Sequence, residues 1–167
     1  MKALFIGGMK SGKSLHAETY ALNRTKLPPI YLATTEFIDD EMKERIEHHK
    51  LQRSENFLTI EEPINLLEAI RPMKTLVLVE CLSMWINNML HHGFDYHDVQ
   101  EHIEKVLSLP QDIVFVLNDV GAGIIPDNAL AREYINISGK LSQILGANCD
   151  EVFHCIAGIS TKIKGKK

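Results

Sequence analysis

A glycine-rich stretch near the N-terminus, GGMKSGKS at residues 7–14, matches the phosphate-binding pattern G-x-x-x-x-G-K-[S/T]. In this pattern the glycines let the backbone curl so that successive N–H groups point at phosphate oxygens. A helix that begins at the end of the loop adds the positive end of its dipole. We therefore expect Lys13 to reach the β- and γ-phosphates and the Ser14 hydroxyl to ligate Mg²⁺. The alternative, a glycine-rich turn that binds nothing, is disfavoured because an apolar strand pattern precedes the loop and a helical pattern follows it.

A phosphate loop of this kind works with an acidic residue at the end of a neighbouring strand, which holds Mg²⁺ directly or through water. Two candidates are present: Glu80 ends the run TLVLVE, and Asp119 follows the run IVFVLN. Glu80 is favoured because it follows a run of five strand-forming residues. Each carboxylate has a second interpretation, as an acidic residue at a helix N-terminus, where the helix dipole favours negative charge.

Two adjacent histidines, His48 and His49, lie in a charged stretch with helical periodicity. With Ile38 at zero and about 100° per residue, His49 falls at about 20°, close to Met42 at about 40° and Ile46 at about 80°. His48 falls at about 280°, outside this apolar stripe. Periodicity therefore assigns packing to His49 and leaves His48 to face a ligand cavity, although a lone exposed histidine is usually an ordinary surface residue.

The elements that must position these residues alternate between short apolar runs and longer helical patterns. Strands are predicted at residues 3–6, 30–33, 57–60, 75–79, 113–117 and 152–157, and helices at 13–24, 37–53, 63–71, 82–91, 96–107 and 128–147. Continuous apolar runs are typical of parallel strands buried on both faces. The pattern predicts one α/β domain over residues 1–167, with a three-layer P-loop NTPase fold and a mostly parallel central sheet with helices on both faces. The last ten residues are expected to add a short strand or hairpin.

Composition narrows the class of function. A net charge of −4 leaves no basic surplus to meet the phosphate backbone of a nucleic acid. Three cysteines without CxxC spacing indicate neither a disulfide framework nor a zinc knuckle and favour a reducing cytosol, so a cytoplasmic protein is expected. The apolar run at the N-terminus is too short for a signal-peptide core or a membrane span. The stretch 118–121, Asn-Asp-Val-Gly, lacks the lysine of a guanine-reading Asn-Lys-x-Asp motif, which counts against a signalling GTPase.

Six segments together resemble one family, the bifunctional adenosylcobinamide kinase / adenosylcobinamide-phosphate guanylyltransferase of cobalamin biosynthesis. In chain order they are GGMKSGKS, YLATTEFIDDEMKERIEHHK, TIEEP, LVECLSMWINNML, VLNDVGAGIIPDNALAREY and GISTKIK. The resemblance covers nearly the whole chain. Its combination of the phosphate loop with A-T-x-x-x-x-D-D-E-M and R-I-x-H-H-K is much more specific than the loop alone.

The resemblance implies a two-step enzyme. In the first step the terminal hydroxyl of adenosylcobinamide takes a phosphate from ATP or GTP. In the second, GMP passes from GTP to adenosylcobinamide phosphate through a GMP–histidine intermediate, giving adenosylcobinamide-GDP and pyrophosphate. The resemblance places that intermediate on the first histidine of the pair, His48, whose neutral imidazole is a suitable nucleophile near neutral pH. Family members are trimers, so a homotrimer is also implied.

The resemblance further implies which residues contact the nucleotide. These are Gly7, Gly8, Met9, Lys10, Ser11, Gly12, Lys13, Ser14, Thr34, Thr35, Glu36, His49, Lys50, Glu61 and Glu80, with Ser14 and Glu80 as the Mg²⁺ ligands and with His48 and Lys13 as catalytic groups. The chain departs from the family where Lys10 replaces the usual arginine and where Ser54, rather than proline, follows Arg53. These departures bear on fine substrate contacts and leave the reaction class unchanged.

Two other functions fit part of the pattern. A monofunctional small-molecule kinase would use the same loop and Glu80 but leave His48 idle. A nucleotide-binding switch or structural subunit would bind GTP without transferring any part of it.

In the stretch 120–134, Gly121 and Gly123 allow a tight loop and Asp127 is expected to cap the following helix. For this stretch a corrinoid-facing and a subunit-facing role are both open.

Overall fold

Seven strands and five helices make up the fold in residues 1–36 and 56–165, the part of the chain that the computed structural model describes. The strands are β1 (Lys2–Gly7), β2 (Ile30–Ala33), β3 (Leu58–Glu61), β4 (Val77–Glu80), β5 (Ile113–Asn118), β6 (Glu151–Ile156) and β7 (Ile159–Lys164). The helices are α1 (Lys13–Arg24), α2 (Leu66–Ile70), α3 (Leu82–His91), α4 (Tyr96–Leu107) and α5 (Ala129–Asn148). The predicted helix at 37–53, with His48, His49 and Lys50, lies outside the described residues.

The strands form one sheet in the order β3-β2-β4-β5-β1-β6-β7. Strands β1 to β6 pair in parallel, and β7 pairs antiparallel with β6. The turn between β6 and β7 consists of Ala157 and Gly158, both with positive φ, as a two-residue hairpin turn requires. The predictions of a mostly parallel sheet and of a terminal hairpin are both confirmed.

Side chains of β1 alternate between two cores, one on each face of the sheet. Ala3 and Phe5 pack with Ala17 and Ala21 of α1 on one face. The other core contains Leu4 and buried residues from each of the remaining described helices, among them Leu66, Trp85, Ile103 and Leu141. Helices therefore cover both faces, with α1 on one and α2 to α5 on the other, which confirms the three-layer α/β prediction.

The parallel arrangement brings the carboxyl ends of β1 to β5 to one edge of the sheet. This edge carries the residues that end or follow these strands, namely Gly7, Thr34, Glu61, Glu80 and Asn118. In open α/β sheets, ligands bind beyond this edge.

Two sequence-based expectations differ from the structure. The helix predicted at 63–71 is shorter, because the carboxylate of Glu62 accepts the N–H groups of Ile64 and Asn65 and forms a turn before α2 begins. Asp127 does not cap α5; that position belongs to Asn128, whose side chain accepts a hydrogen bond from the N–H of Ala131.

Among the described residues, no helix combines the length and apolar character needed to cross a membrane.

Candidate nucleotide site

The phosphate loop connects β1 to α1, and two of its glycines occupy positions that other residues fit poorly. Gly7 lies between Asn118 of β5 and Cys155 of β6, and a Cβ there would lie 2.2 Å from the carbonyl oxygen of Cys155. Gly12, just before α1, has a φ of +90°, in the left-handed region that favours glycine. The spacing of the two motif glycines thus follows from two separate steric requirements.

Lys13 lies inside the loop rather than on its surface. The residue is 7% exposed, and its Nζ donates a hydrogen bond to the carbonyl of Gly8 over 3.2 Å. The N–H of Ser11 donates to the same carbonyl over 3.2 Å and closes the turn, while Met9 and Lys10 are exposed. An ammonium group held across the loop is well placed to neutralise a β- or γ-phosphate.

Ser14 and Glu80 meet at the floor of the site. The Ser14 hydroxyl donates a hydrogen bond to Oε1 of Glu80 over 2.7 Å. A hydroxyl and a carboxylate oxygen are the hard ligands that Mg²⁺ accepts, usually together with phosphate oxygens and water. No larger group of three or more His, Cys, Asp or Glu residues suited to a metal occurs in the described ranges. The two oxygens of Ser14 and Glu80 fit a cation that is bound jointly with a nucleotide.

The competing carboxylate, Asp119, has a different environment. Its backbone N–H donates to the carbonyl of Gly7 over 2.9 Å, and its side chain accepts the N–H of Gly121 over 3.1 Å. The residue is exposed, and its carboxylate stabilises a turn after β5. Of the two candidates, Glu80 is the one whose side chain contacts the motif serine.

Thr34 joins the ends of two neighbouring strands. It is fully buried; its hydroxyl donates to the carbonyl of Cys81 over 2.8 Å and accepts the N–H of Cys81 over 3.0 Å. The buried amide of Asn88 donates to the Thr34 carbonyl over 2.6 Å and to the Pro63 carbonyl over 3.1 Å. Since its side chain is committed to protein partners, the geometry favours a positioning role for Thr34 over a nucleotide contact.

The cysteine in this junction has little nucleophilic character. Burial, with a smaller contribution from the Glu80 carboxylate, raises the pKa of the Cys81 thiol to about 11. The thiol is therefore neutral at physiological pH, and nucleophilic chemistry at this strand end would need another group.

The carboxylates of the β2–β3 side lie far from the phosphate loop. Strands β2, β4 and β5 separate β3 from β1, which corresponds to about 19 Å at the usual strand spacing. Glu61 ends β3 and is exposed. Glu36 follows β2, and its two carboxylate oxygens lie 2.9 and 3.0 Å from Nε2 of His92 at the end of α3.

The site therefore has two parts. We define the phosphate end as Lys13, Ser14 and Glu80 and the distal end as Thr35, Glu36 and Glu61. His48, His49 and Lys50 belong to the segment 37–55, which lies outside the described residues. In the sequence, that segment begins directly after Glu36.

Sequence patterns missed two contacts that shape the site. The turn between β6 and β7 packs on the phosphate loop: the N–H of Gly158 donates to the carbonyl of Ser11 over 3.1 Å. Nε2 of His16 also lies 2.8 Å from the Gly158 carbonyl, which makes His16 a packing residue. The Glu36–His92 pair is the second contact. Both contacts join residues that are more than fifty positions apart in the chain, and the periodicity of a short stretch of sequence does not predict which distant residues meet.

The chain is similar to known proteins over nearly its whole length. A family model described as cobinamide kinase / cobinamide phosphate guanyltransferase matches residues 3–163. The bifunctional adenosylcobalamin biosynthesis protein CobU of Escherichia coli (strain K12) is 36% identical over 183 residues, covering 98% of this chain and 100% of that protein. The bifunctional adenosylcobalamin biosynthesis protein CobP of Pseudomonas aeruginosa is 34% identical over 173 residues, covering 99% of each.

A solved structure from Pyrococcus horikoshii OT3, titled as a structural study of project PH0250, has a similar fold. It aligns with a TM-score of 0.60 at 14% identity, covering 99% of this chain and 87% of that one. At this level of identity the similarity supports the layered α/β architecture alone.

Proposed function

The chain belongs to the cobinamide kinase / cobinamide phosphate guanyltransferase family, and on that premise we propose which of its residues act in each of two successive steps, the transfer of a phosphate group and the transfer of GMP. As an enzyme of cobalamin biosynthesis, it phosphorylates adenosylcobinamide with ATP or GTP and then transfers GMP from GTP to the product. The result is adenosylcobinamide-GDP and pyrophosphate. The observation that carries the assignment of roles is the contact between Ser14 and Glu80 beside Lys13.

In the kinase step, the loop amides and the positive end of α1 hold the triphosphate. Lys13 neutralises charge on the β- and γ-phosphates as the γ-phosphorus is transferred to the acceptor hydroxyl. Ser14 and Glu80 would hold Mg²⁺, which supplies further charge neutralisation when bound. The carboxylate of Glu80 also accepts the Ser14 hydroxyl hydrogen, which orients the hydroxyl oxygen towards the loop.

In the guanylyl step, a ring nitrogen of His48 attacks the α-phosphorus of GTP. The bond between the α-phosphorus and the bridging oxygen breaks, and pyrophosphate leaves into the phosphate end of the site. An oxygen of adenosylcobinamide phosphate then attacks the same phosphorus, the phosphorus–nitrogen bond breaks, and the imidazole returns to its neutral form. We assign the remaining nucleotide contacts to Thr35, Glu36 and Glu61 at the distal end, and to His49 and Lys50.

The finer properties of the protein follow from the same proposal. We propose that residues 1–167 act as a single domain, that the chain is cytoplasmic and that it assembles as a homotrimer. Its small-molecule partners are adenosylcobinamide and adenosylcobinamide phosphate, and no nucleic acid is bound. The support is the family membership together with the composition, which lacks a basic surplus.

The guanylyl step is tested by labelling with α-³²P-GTP and Mg²⁺, followed by a denaturing gel. We expect an acid-labile, alkali-stable label on the wild type and on His49→Ala, and none on His48→Ala. The neighbouring histidine serves as the matched control, since both variants change the same stretch of chain. Absence of label on a wild type that binds GTP would exclude the histidine intermediate and favour a monofunctional kinase.

A further inference from the structure

Asn118 is the last residue of β5, and its side-chain oxygen is an exception to the rule that buried polar atoms are hydrogen-bonded. The Oδ1 atom of Asn118 is buried and has no hydrogen-bond partner among the described residues. Burying an acceptor in this way is unfavourable, because the oxygen loses its hydrogen bonds to water and gains none in return. A donor that comes from a ligand would remove this cost.

The backbone of Asn118 is held on two sides. Its N–H donates to Oγ of the buried Ser83 over 2.8 Å. In the sheet, Asn118 pairs with Gly7, the first glycine of the phosphate loop, and the N–H of the next residue, Asp119, donates to the Gly7 carbonyl over 2.9 Å. The sheet therefore fixes the point from which the amide side chain extends.

The side chain of Asn118 lies on the same face of the sheet as that of Glu80. Along β5, Val114 and Val116 belong to the core that α1 covers, and Asn118 follows them with the two-residue repeat of a strand. Along β4, Leu78 belongs to that core, and Glu80 follows it in the same way. Asn118 and Glu80 thus end two neighbouring strands on the face that α1 covers.

This position relates Asn118 to the phosphate end of the site. Strand β5 lies between β4, which ends in Glu80, and β1, which leads into the phosphate loop. On the same face, Ser14 of α1 contacts Glu80. The Oγ atom of Ser11 is a second buried oxygen without a partner in the described ranges, and it would lie 2.7 Å from a Cβ at Gly7. Two such oxygens therefore occur around Gly7, one in the loop and one on the neighbouring strand.

The chemistry of an amide oxygen limits which group can be its partner. Such an oxygen only accepts hydrogen bonds, and the oxygens of a triphosphate are acceptors as well. In the proposed kinase step, one donor must approach the phosphate end, namely the hydroxyl that attacks the γ-phosphorus. In the guanylyl step, the attacking ring nitrogen and the attacking phosphate oxygen carry no hydrogen. A partner for Asn118 is therefore expected in the first step alone.

We propose that Asn118 acts in the kinase step, where its Oδ1 accepts a hydrogen bond from the attacking hydroxyl and directs the hydroxyl oxygen at the γ-phosphorus. This inference rests on the proposed function. The new oxygen–phosphorus bond forms, and the bond between the γ-phosphorus and the bridging oxygen breaks. An amide is not a base at neutral pH, so Asn118 takes no proton and the hydroxyl proton passes to water. The contribution of Asn118 is orientation of the nucleophile.

The test compares the two activities in Asn118→Leu and Asn118→Ala. Leucine keeps approximately the shape of the side chain without its amide, and alanine removes the amide altogether. Transfer of ³²P from γ-³²P-ATP to adenosylcobinamide is expected to fall by about 10- to 100-fold in kcat for both variants. Labelling by α-³²P-GTP should stay at the wild-type level, because no hydroxyl takes part in it. Asp119→Asn, at the next residue, is the matched control and should keep both activities.

Stability provides a measurement that is independent of activity. In the ligand-free protein, Oδ1 of Asn118 has no partner to lose among the described residues, so Asn118→Leu should unfold at a urea concentration equal to or above that of the wild type. A lower unfolding midpoint together with an equal decline in both activities would make Asn118 a structural residue and overturn the proposal.

The remaining outcomes are distinct from one another. Kinase turnover at the wild-type level in both variants would overturn the role of Asn118 and leave the enzyme function in place. Weaker labelling by α-³²P-GTP in a variant of full stability would show that Asn118 contacts the nucleotide, which also contradicts a role confined to the hydroxyl. A wild type that transfers no phosphate to adenosylcobinamide would overturn the proposed kinase function itself, and the role of Asn118 with it.

Discussion

The hydroxyl of Ser14 donates to Oε1 of Glu80 over 2.7 Å, although the two residues are 66 positions apart in the chain. The contact joins the first turn of α1, next to Lys13, to the end of β4. In the proposed function, this carboxylate and this hydroxyl would supply one half of a cation site, which phosphate oxygens would complete.

Removing the charge of Glu80 tests this assignment. Glu80→Gln keeps the size of the side chain and an oxygen acceptor for Ser14, but a neutral amide is a weaker ligand for Mg²⁺. We expect kcat for the kinase step to fall by about 100-fold or more, with a higher Mg²⁺ concentration needed for half-maximal activity. Activity measured across a Mg²⁺ titration checks both effects.

Asp119→Asn is the control for that experiment, because Asp119 is the carboxylate at the end of the adjacent strand and contacts Gly121 instead of Ser14. Its activity should stay within a few-fold of the wild type. If Asp119→Asn lost the Mg²⁺ response and Glu80→Gln kept it, the roles assigned to the two carboxylates would be reversed.

The two glycines that open the phosphate loop should respond differently to alanine. A Cβ at Gly7 would lie 2.2 Å from the Cys155 carbonyl and 2.7 Å from Oγ of Ser11, whereas a Cβ at Gly8 meets no described atom within 4 Å. Gly7→Ala should therefore lower the free energy of unfolding by about 3 kcal/mol or more, and Gly8→Ala by less than about 1 kcal/mol. Urea unfolding curves compare the two variants, and equal stabilities would contradict the steric argument.

Most of the elements could be predicted from the sequence because their signals are local. The bounds of β2, α3 and α4 coincide with the apolar patterns at 30–33, 82–91 and 96–107. A continuous apolar run such as IVFVL in β5 is completely buried, because its side chains alternate between the two cores that helices cover on either face of the sheet. The rule that ligands bind beyond the carboxyl ends of parallel strands also predicts the edge of the sheet at which Glu80 lies.

The rest of the site depends on contacts between distant residues. In the sequence, Thr34 is simply a polar residue that follows a predicted strand. Its burial against Cys81 results from the pairing of β2 with β4, which the sequence does not reveal. In the same way, nothing near Glu36 in the sequence indicates that His92 is its partner. The difference between Asp127 and Asn128 as helix caps is a shift of one residue, within the usual uncertainty of sequence-based helix ends.

Replacing Thr34 with valine tests its positioning role. Valine has a similar shape but cannot accept the N–H of Cys81, which would be left unpaired in a buried position. We expect the free energy of unfolding to fall by about 1–3 kcal/mol. Thr35→Val, at the half-buried neighbouring residue, should have a smaller effect on stability. A Thr34→Val variant with wild-type stability and a weakened affinity for GTP would show instead that Thr34 contacts the nucleotide.

The pair between Glu36 and His92 should influence the guanylyl step. Glu36 is the last described residue before the segment that contains His48, and its contact with His92 joins this point of the chain to the end of α3. His92→Gln is expected to slow formation of the GMP–histidine label by a few-fold, since a partly exposed pair contributes about 1 kcal/mol or less. Kinase turnover should not change, and His97→Gln, at an exposed histidine of α4, is the control. An equal decline in both activities would place the effect on the fold as a whole.

Alkaline pH should destabilise the protein through its buried thiols. Burial raises the pKa of Cys149 from the ordinary 9.0 to about 12, so between these values the unfolded chain releases a proton that the folded chain retains. The unfolded state then binds fewer protons, and the free energy of unfolding falls as pH rises, by about 1.4 kcal/mol per pH unit for one such group. The raised pKa of Tyr134, about 12, also lowers the free energy of unfolding as pH rises above 10. Burial lowers the pKa of Lys2, which has the opposite effect on the pH dependence.

Urea unfolding of wild type and Cys149→Ala at several pH values from 8 to 11, under reducing conditions, isolates the contribution of this thiol. The difference in stability between the two proteins should shift steadily in favour of Cys149→Ala above pH 9, and a difference that stays constant over this range would show that the thiol titrates normally in the folded state.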